Sequence, residues 1–178
     1  MIALVEIIAA LFVVVTDADI NQLRSTAPMY LKTDAIADQH LRAARAAAFV
    51  TGTDADMLLA IAHHESRYVV TEATPETNGY SCGVMTPEPT QAKGACLLAT
   101  SSMAAGYFVG AAHLAGWLRA CNGRVRCALN GYAGGYRLIR FCAEHEKDRR
   151  CTTPDVFLQR ARWIRGSTSG TRRSRSTS

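Results

Sequence analysis

The sequence predicts a mainly α-helical domain carrying one long irregular insertion, and three observations support that prediction. Alanine, leucine and valine recur at helical spacing between start and stop signals over 35–50, 55–68 and 103–121. Between the second and third of these, residues 69–95 hold Pro75, Pro87, Pro89, Gly79, Gly83 and Gly94, a density of breakers that no helix tolerates. At 178 residues, 48% hydrophobic and 20% charged, the chain suits one folded domain with its own core.

The first fifteen residues, MIALVEIIAALFVVV, are apolar apart from Glu6. As a helix they would span roughly 20 Å, short of the ~30 Å hydrocarbon core, so a transmembrane span is not expected. No Lys or Arg precedes the run, and the TDAD after it is a poor cleavage site. A helix on the domain or a membrane-seeking segment is therefore expected ahead of a signal peptide. A linker around 25–28 divides this segment, residues 1–28, from a folded domain over 29–165.

Thr33 or Asp34 can cap the helix over 35–50, which Gly52 closes. Asp54 and Asp56 place a cap and negative charge at the start of the helix over 55–68, the clearest helix start in the chain. The 69–95 insertion reads as loop with one small hairpin, VVTEAT being the stretch that can extend as strand. Ser101 or Ser102 caps the helix over 103–121. A short helix over 124–130 ends in the glycine-rich GYAGG, and 137–146 and 154–164 form two more, the last with Pro154 in its first turn.

The net charge is +5, but the last thirteen residues, GSTSGTRRSRSTS, hold three arginines and no acid, leaving +2 without them. This low-complexity tail, 166–178, cannot bury enough apolar surface to fold and is expected to be disordered. Its charge would attract any polyanion, so no specific nucleic acid is implied. Six cysteines fall as three near neighbours, Cys82 with Cys96, Cys121 with Cys127 and Cys142 with Cys151. Pairing by proximity is one of the many arrangements six cysteines permit. The absence of any CxxC argues against a zinc ribbon or a redox motif, and disulfides in an oxidising compartment are the expectation.

Leu58, Ile61, Ala62 and Glu65 share one face of the second helix by spacing. A carboxyl at the end of an apolar stripe is desolvated, which raises its pKa towards that of a general acid. The alternative is a local pair with Arg67. His63 and His64 beside Glu65 suggest a zinc HExxH site, but HESRY puts Tyr68 where the second histidine belongs, so no metal is expected. His64 either borders a groove or packs against Tyr68. His40, His113 and His145 read as surface or satisfied core residues. No GxSxG or phosphate-cradling loop is present, and no cofactor is expected.

The stretch TGTDADMLLAIAHHESRY resembles the catalytic helix of SLT-type lytic transglycosylases, in the lysozyme-like superfamily, whose hallmark is a Glu-Ser pair ending an apolar helix; Glu65 and Ser66 match it. The family's Gly-Leu-Met-Gln segment is matched by Gly83, Val84, Met85 and Thr86. Its Ala-Leu-x-x-Tyr-Asn-x-Gly element is matched by Ala128, Leu129, Tyr132 and Gly135, with Ala133 where Asn is usual. The match covers roughly residues 50–140 and departs at Thr86 and Ala133.

The resemblance implies a lysozyme-like helical fold and cleavage of the β-1,4 bond between N-acetylmuramic acid and N-acetylglucosamine in peptidoglycan, with a 1,6-anhydro product. Glu65 would be acid and then base, with Tyr132 hydrogen-bonded to it. Ser66, Tyr80, Gly83, Val84, Met85 and Thr86 would line the sugar site. It also implies a cell-wall-facing location, periplasmic, extracellular or virion-associated, with peptidoglycan strands as partner. A hydrolytic lysozyme would need a second acid, for which Glu72 and Glu76 are near in sequence. A non-catalytic glycan-binding component of an envelope-spanning or virion assembly is the third reading, motivated by Thr86, Ala133 and the tail.

Overall fold

A computed structural model of the chain describes residues 13–76, 79–86 and 93–166, with the side chains of 73–76, 79–81, 93 and 94 left aside. The apolar residues 1–12 and the tail 167–178 therefore lie outside the described residues. The elements run α1 (Asp17–Thr26), α2 (Asp34–Thr51), α3 (Ala55–Ser66), β1 (Thr71–Glu76), β2 (Gly79–Gly83), α4 (Lys93–Ser101), α5 (Met103–Ala120), α6 (Val125–Glu144), a 3-10 turn (Arg149–Thr152) and α7 (Thr153–Gly166). The protein is mainly helical, and its described sheet is one antiparallel hairpin, β1 with β2, inside the irregular insertion.

Caps account for most of the boundaries. Thr33, Asp54 and Ser102 each accept a hydrogen bond from the third backbone N–H of α2, α3 and α5. Gly52 ends α2 at φ 70, a conformation a side chain would resist. Two helices were not foreseen. Thr16 and Asp19 form a reciprocal capping box that starts α1, so the expected linker is the end of a helix whose Leu23 is wholly buried in the main core. α4 has little cap signal, and it is held to β2 by the Cys82–Cys96 disulfide.

The expected helices over 124–130 and 137–146 form as the two halves of α6, parted by non-helical backbone at Gly134 and Gly135. The first half thus carries Tyr132 as helix and not as part of a glycine-rich loop. Gly135, at φ 62 and ψ −164, supplies the break.

α3 lies centrally, packed on α2 and α7, while α2 and α6 flank α5. Met57 through His63 are all buried, so α3 is enclosed nearly all round, beyond the single stripe its spacing suggests. Leu58, Ile61, Leu129, Tyr107 and Phe157 meet in the core, each apolar side chain contributing roughly 1.5–3 kcal/mol by leaving water. Arg165 at the end of α7 pairs with Asp54 and with Asp56, 2.9 Å away, pinning α7 to the start of α3. All three disulfides form as sequence proximity suggests: Cys82–Cys96, Cys121–Cys127 and Cys142–Cys151. No helix among the described residues is long and apolar enough to cross a membrane.

Candidate active site

Glu65 sits in the last turn of α3, where the buried helix meets the segment that follows β2. Burial raises its carboxyl above the ordinary carboxylate range, and a hydrogen bond from Thr86 opposes part of that rise. The Thr86 hydroxyl donates to Glu65 Oε2 at 3.1 Å. No ion pair to Glu65 forms among the described residues. Arg67, the alternative partner, turns its guanidinium back onto the carbonyls of His63, 3.1 Å, and His64, 3.3 Å. There it satisfies the end of α3, where Arg67 and Tyr68 adopt φ 59 and 66.

The wall facing Glu65 is the segment Gly83–Met85, which is fully enclosed. Small residues allow it to lie this deep. A Cβ on Gly83 would stand 3.0 Å from Ala99 of α4, one on Gly106 2.9 Å from the Ala99 carbonyl, and one on Gly110 2.6 Å from the Met85 side chain. Polar ties then fix its register. Ser66 Oγ lies 2.5 Å from the Val84 carbonyl and 3.0 Å from that of Ala62, so its one proton holds either the wall or its own helix. Thr71 Oγ1 donates to the Gly83 carbonyl at 2.9 Å. Thr86 leaves this wall at φ 33, a conformation a β-branched residue rarely adopts, and the ties on either side of Glu65 hold it there.

Tyr132 reaches the same wall from α6. Its hydroxyl donates to the Met85 carbonyl at 2.8 Å, where a bond to the Glu65 carboxyl was expected. Burial and the nearby Glu65 charge both raise its pKa well above the ordinary tyrosine value, so it remains a donor. Tyr132 therefore ties α6 to the wall beside Glu65. Ala133, in place of the resembled Asn, is exposed. Tyr80 lies in β2, paired with Pro75, and its side chain is outside the described residues.

The histidine pair divides differently from the expectation. His63, not His64, packs edge-on against Tyr68, at 5.5 Å, while His64 packs against Phe157 at 5.0 Å. One step along a helix turns a side chain by about 100°, so neighbours in sequence face different elements. His63 is buried and its Nε2 lies 2.7 Å from Arg160 of α7. Among the described residues no group of three or more His, Cys, Asp and Glu is placed to hold a metal ion. Glu72 is exposed on β1, and the Glu76 side chain is outside the described residues.

The sequence reads His113 as a surface or satisfied core residue, with no part in the site. Its ring packs against Tyr132 at 5.3 Å, and the spacing to Trp117, four residues on, was the available signal. No protein-family model matches the chain, and no curated protein or solved structure matches it either.

Proposed function

We propose that the chain is a peptidoglycan lytic transglycosylase that cleaves the β-1,4 bond between N-acetylmuramic acid and N-acetylglucosamine, with Glu65 as acid and then base. The observation that carries this reading is the setting of one carboxyl. It is desolvated at the end of a buried helix, has no cationic partner among the described residues, and is held by a neutral hydroxyl. A structural carboxylate buried to this extent would need a cation. A general acid needs the reverse.

The hydrogen bond to Oε2 can form in both protonation states, because a carboxyl's carbonyl oxygen and a carboxylate oxygen both accept from Thr86, the carboxylate more strongly. Oε1 is then free to carry the proton. In the first step Glu65 gives that proton to the glycosidic oxygen as the bond to the muramoyl anomeric carbon breaks, and the glucosamine leaves with a 4-hydroxyl. In the second, the muramoyl 6-hydroxyl attacks the anomeric carbon and its proton returns to Glu65. No water is consumed, and the acid is restored. One carboxyl suffices for this sequence, whereas retaining and inverting hydrolases use two. The three disulfides fit the oxidising, wall-facing setting in which the substrate lies.

Digestion of purified peptidoglycan tests the reading. Anhydro-muropeptides identified by mass, and their loss in Glu65→Gln, are the expected result. Reducing ends without anhydro sugar would replace it with a hydrolytic lysozyme. Binding without any released product, unchanged in Glu65→Gln, would replace it with a glycan-binding component.

A further inference from the structure

The face of α5 that supports the site wall continues beyond it. Gly106 and Gly110 lie beneath Val84 and Met85, and His113 and Trp117 follow them at helical spacing. Trp117 therefore stands about 10 Å along the helix axis from the Met85 wall. The contacts are continuous. Tyr132, tied to the Met85 carbonyl, meets the His113 ring, and the Trp117 indole N–H donates to His113 Nε2 at 3.0 Å. The indole in turn meets the Tyr136 ring, with centroids 4.8 Å apart.

This row ends at the surface. Tyr136 is the first residue after the glycine break in α6 and is 65% exposed. The indole beneath it is fixed, since a Cβ on Gly131 would stand 2.4 Å from the Trp117 ring, which means the ring lies against the α6 backbone. Because Nε2 accepts from Trp117, His113 carries its proton on Nδ1, and burial keeps the ring neutral. Among the described residues the bond from Trp117 is the one hydrogen bond His113 makes, and it leaves that N–H unused. A fixed aromatic pair beside a neutral donor suits a ligand with an apolar ring face and a polar rim, which is the character of a pyranose.

We propose that His113, Trp117 and Tyr136 form a saccharide-binding surface that holds the glycan strand beyond the bond being cut. The proposal rests on the Glu65 activity for the identity of the strand. Sugar rings stack on Tyr136 and Trp117, and a hydroxyl or acetamide oxygen accepts from His113. Trp163 on α7 is also exposed, at 48%, but has no aromatic partner among the described residues, which makes it the internal control.

The probe is chitohexaose, titrated against the Glu65→Gln protein by calorimetry. Tyr136→Ala should weaken binding about tenfold, the scale of one lost stacking contact, while Tyr136→Phe and Trp163→Ala bind as the parent. With Trp163 replaced by Phe, saturating saccharide should change the remaining emission from Trp117, a readout that needs no change at Tyr136. Undiminished binding in Tyr136→Ala, a silent Trp117, or no binding by the parent overturns the proposal. Peptidoglycan cleavage that needs Glu65 but is unchanged by Tyr136→Ala removes this surface and leaves the activity. Tyr136-dependent binding in a chain that cuts nothing does the reverse.

Discussion

Two titratable residues, two positions apart at the end of α3, are treated in opposite ways. His63 faces α7 and meets the Arg160 guanidinium, and burial together with that cation pushes its pKa down to about 4. Glu65 faces the 83–86 wall, is raised by the same desolvation, and among the described residues meets only the Thr86 hydroxyl. Burial disfavours charge on both. The partner differs, because His63 is left as a fixed acceptor joining α3 to α7, whereas the raised Glu65 carboxyl meets a neutral hydroxyl and no cation among the described residues. One helix end thus uses desolvation for structure on one face and, in the proposed function, for chemistry on the other.

Substitution at the two positions should separate the roles, and this carries the largest effect. Glu65→Gln should lower product formation by about 10²–10⁴-fold, the usual worth of a general acid, and leave the melting temperature intact or raised. His63→Gln keeps an oxygen that can accept from Arg160, and should retain cleavage. Loss of cleavage in both, measured by muropeptide mass, would erase the distinction.

The wall beside Glu65 offers the next contrast, between two glycines of α5. Gly110→Ala forces a Cβ to within 2.6 Å of Met85 and should cost about 1–3 kcal/mol in urea unfolding, with cleavage falling as the wall shifts. Gly116→Ala meets nothing closer than 3.9 Å, and should gain about 0.5–1 kcal/mol from helix propensity. Equal effects would mean that Gly110 does not set the position of the wall.

The sequence made these faces only partly visible. Caps at Thr33, Asp54 and Ser102 marked three helices because a capping oxygen acts on its own next turn. Local spacing also placed Glu65 at an apolar helix end. What it could not show is which neighbour arrives from elsewhere. The bond from Tyr132 spans 47 positions to the Met85 carbonyl and that from Thr86 spans 21 to Glu65, and both depend on how α5 and α6 pack. α4 was missed for the same reason, its position being secured by a disulfide and by contact with Gly83 more than by its own signals. Thr86, a departure from the resembled motif in sequence, stands in the structure as the hydrogen-bond partner of Glu65.

Acid should expose the structural face of the comparison. His40 is also wholly buried and lowered to about 4, by burial first and against a weaker backbone contact with Tyr68. The unfolded chain takes up protons on both histidines near 6.5, and the folded one only near 4. Their contribution is therefore fully present above about pH 6.5 and is lost as pH falls towards 4. The urea midpoint should drop across that window, and His63→Gln should flatten part of the drop. A flat profile in the parent would show that neither histidine is held neutral.

The smallest effect expected concerns the Thr86 hydroxyl, and it tests the chemical face alone. Thr86 favours the charged form of Glu65, so its hydrogen bond opposes the rise that burial produces. Thr86→Val removes that bond and should move Glu65 further up. Cleavage requires the protonated acid, so the alkaline limb of kcat/KM against pH should move to higher pH in Thr86→Val and stay in place in Thr86→Ser. The rate on the acid side should fall in the valine variant alone, because the carboxyl loses the hydrogen bond from Thr86 that orients it. A limb that stays put in both would leave Thr86 as a strained wall residue with no influence on the proton. The contrast with His63 would then rest on the Arg160 cation alone, since Thr86 would not be setting the charge state of Glu65.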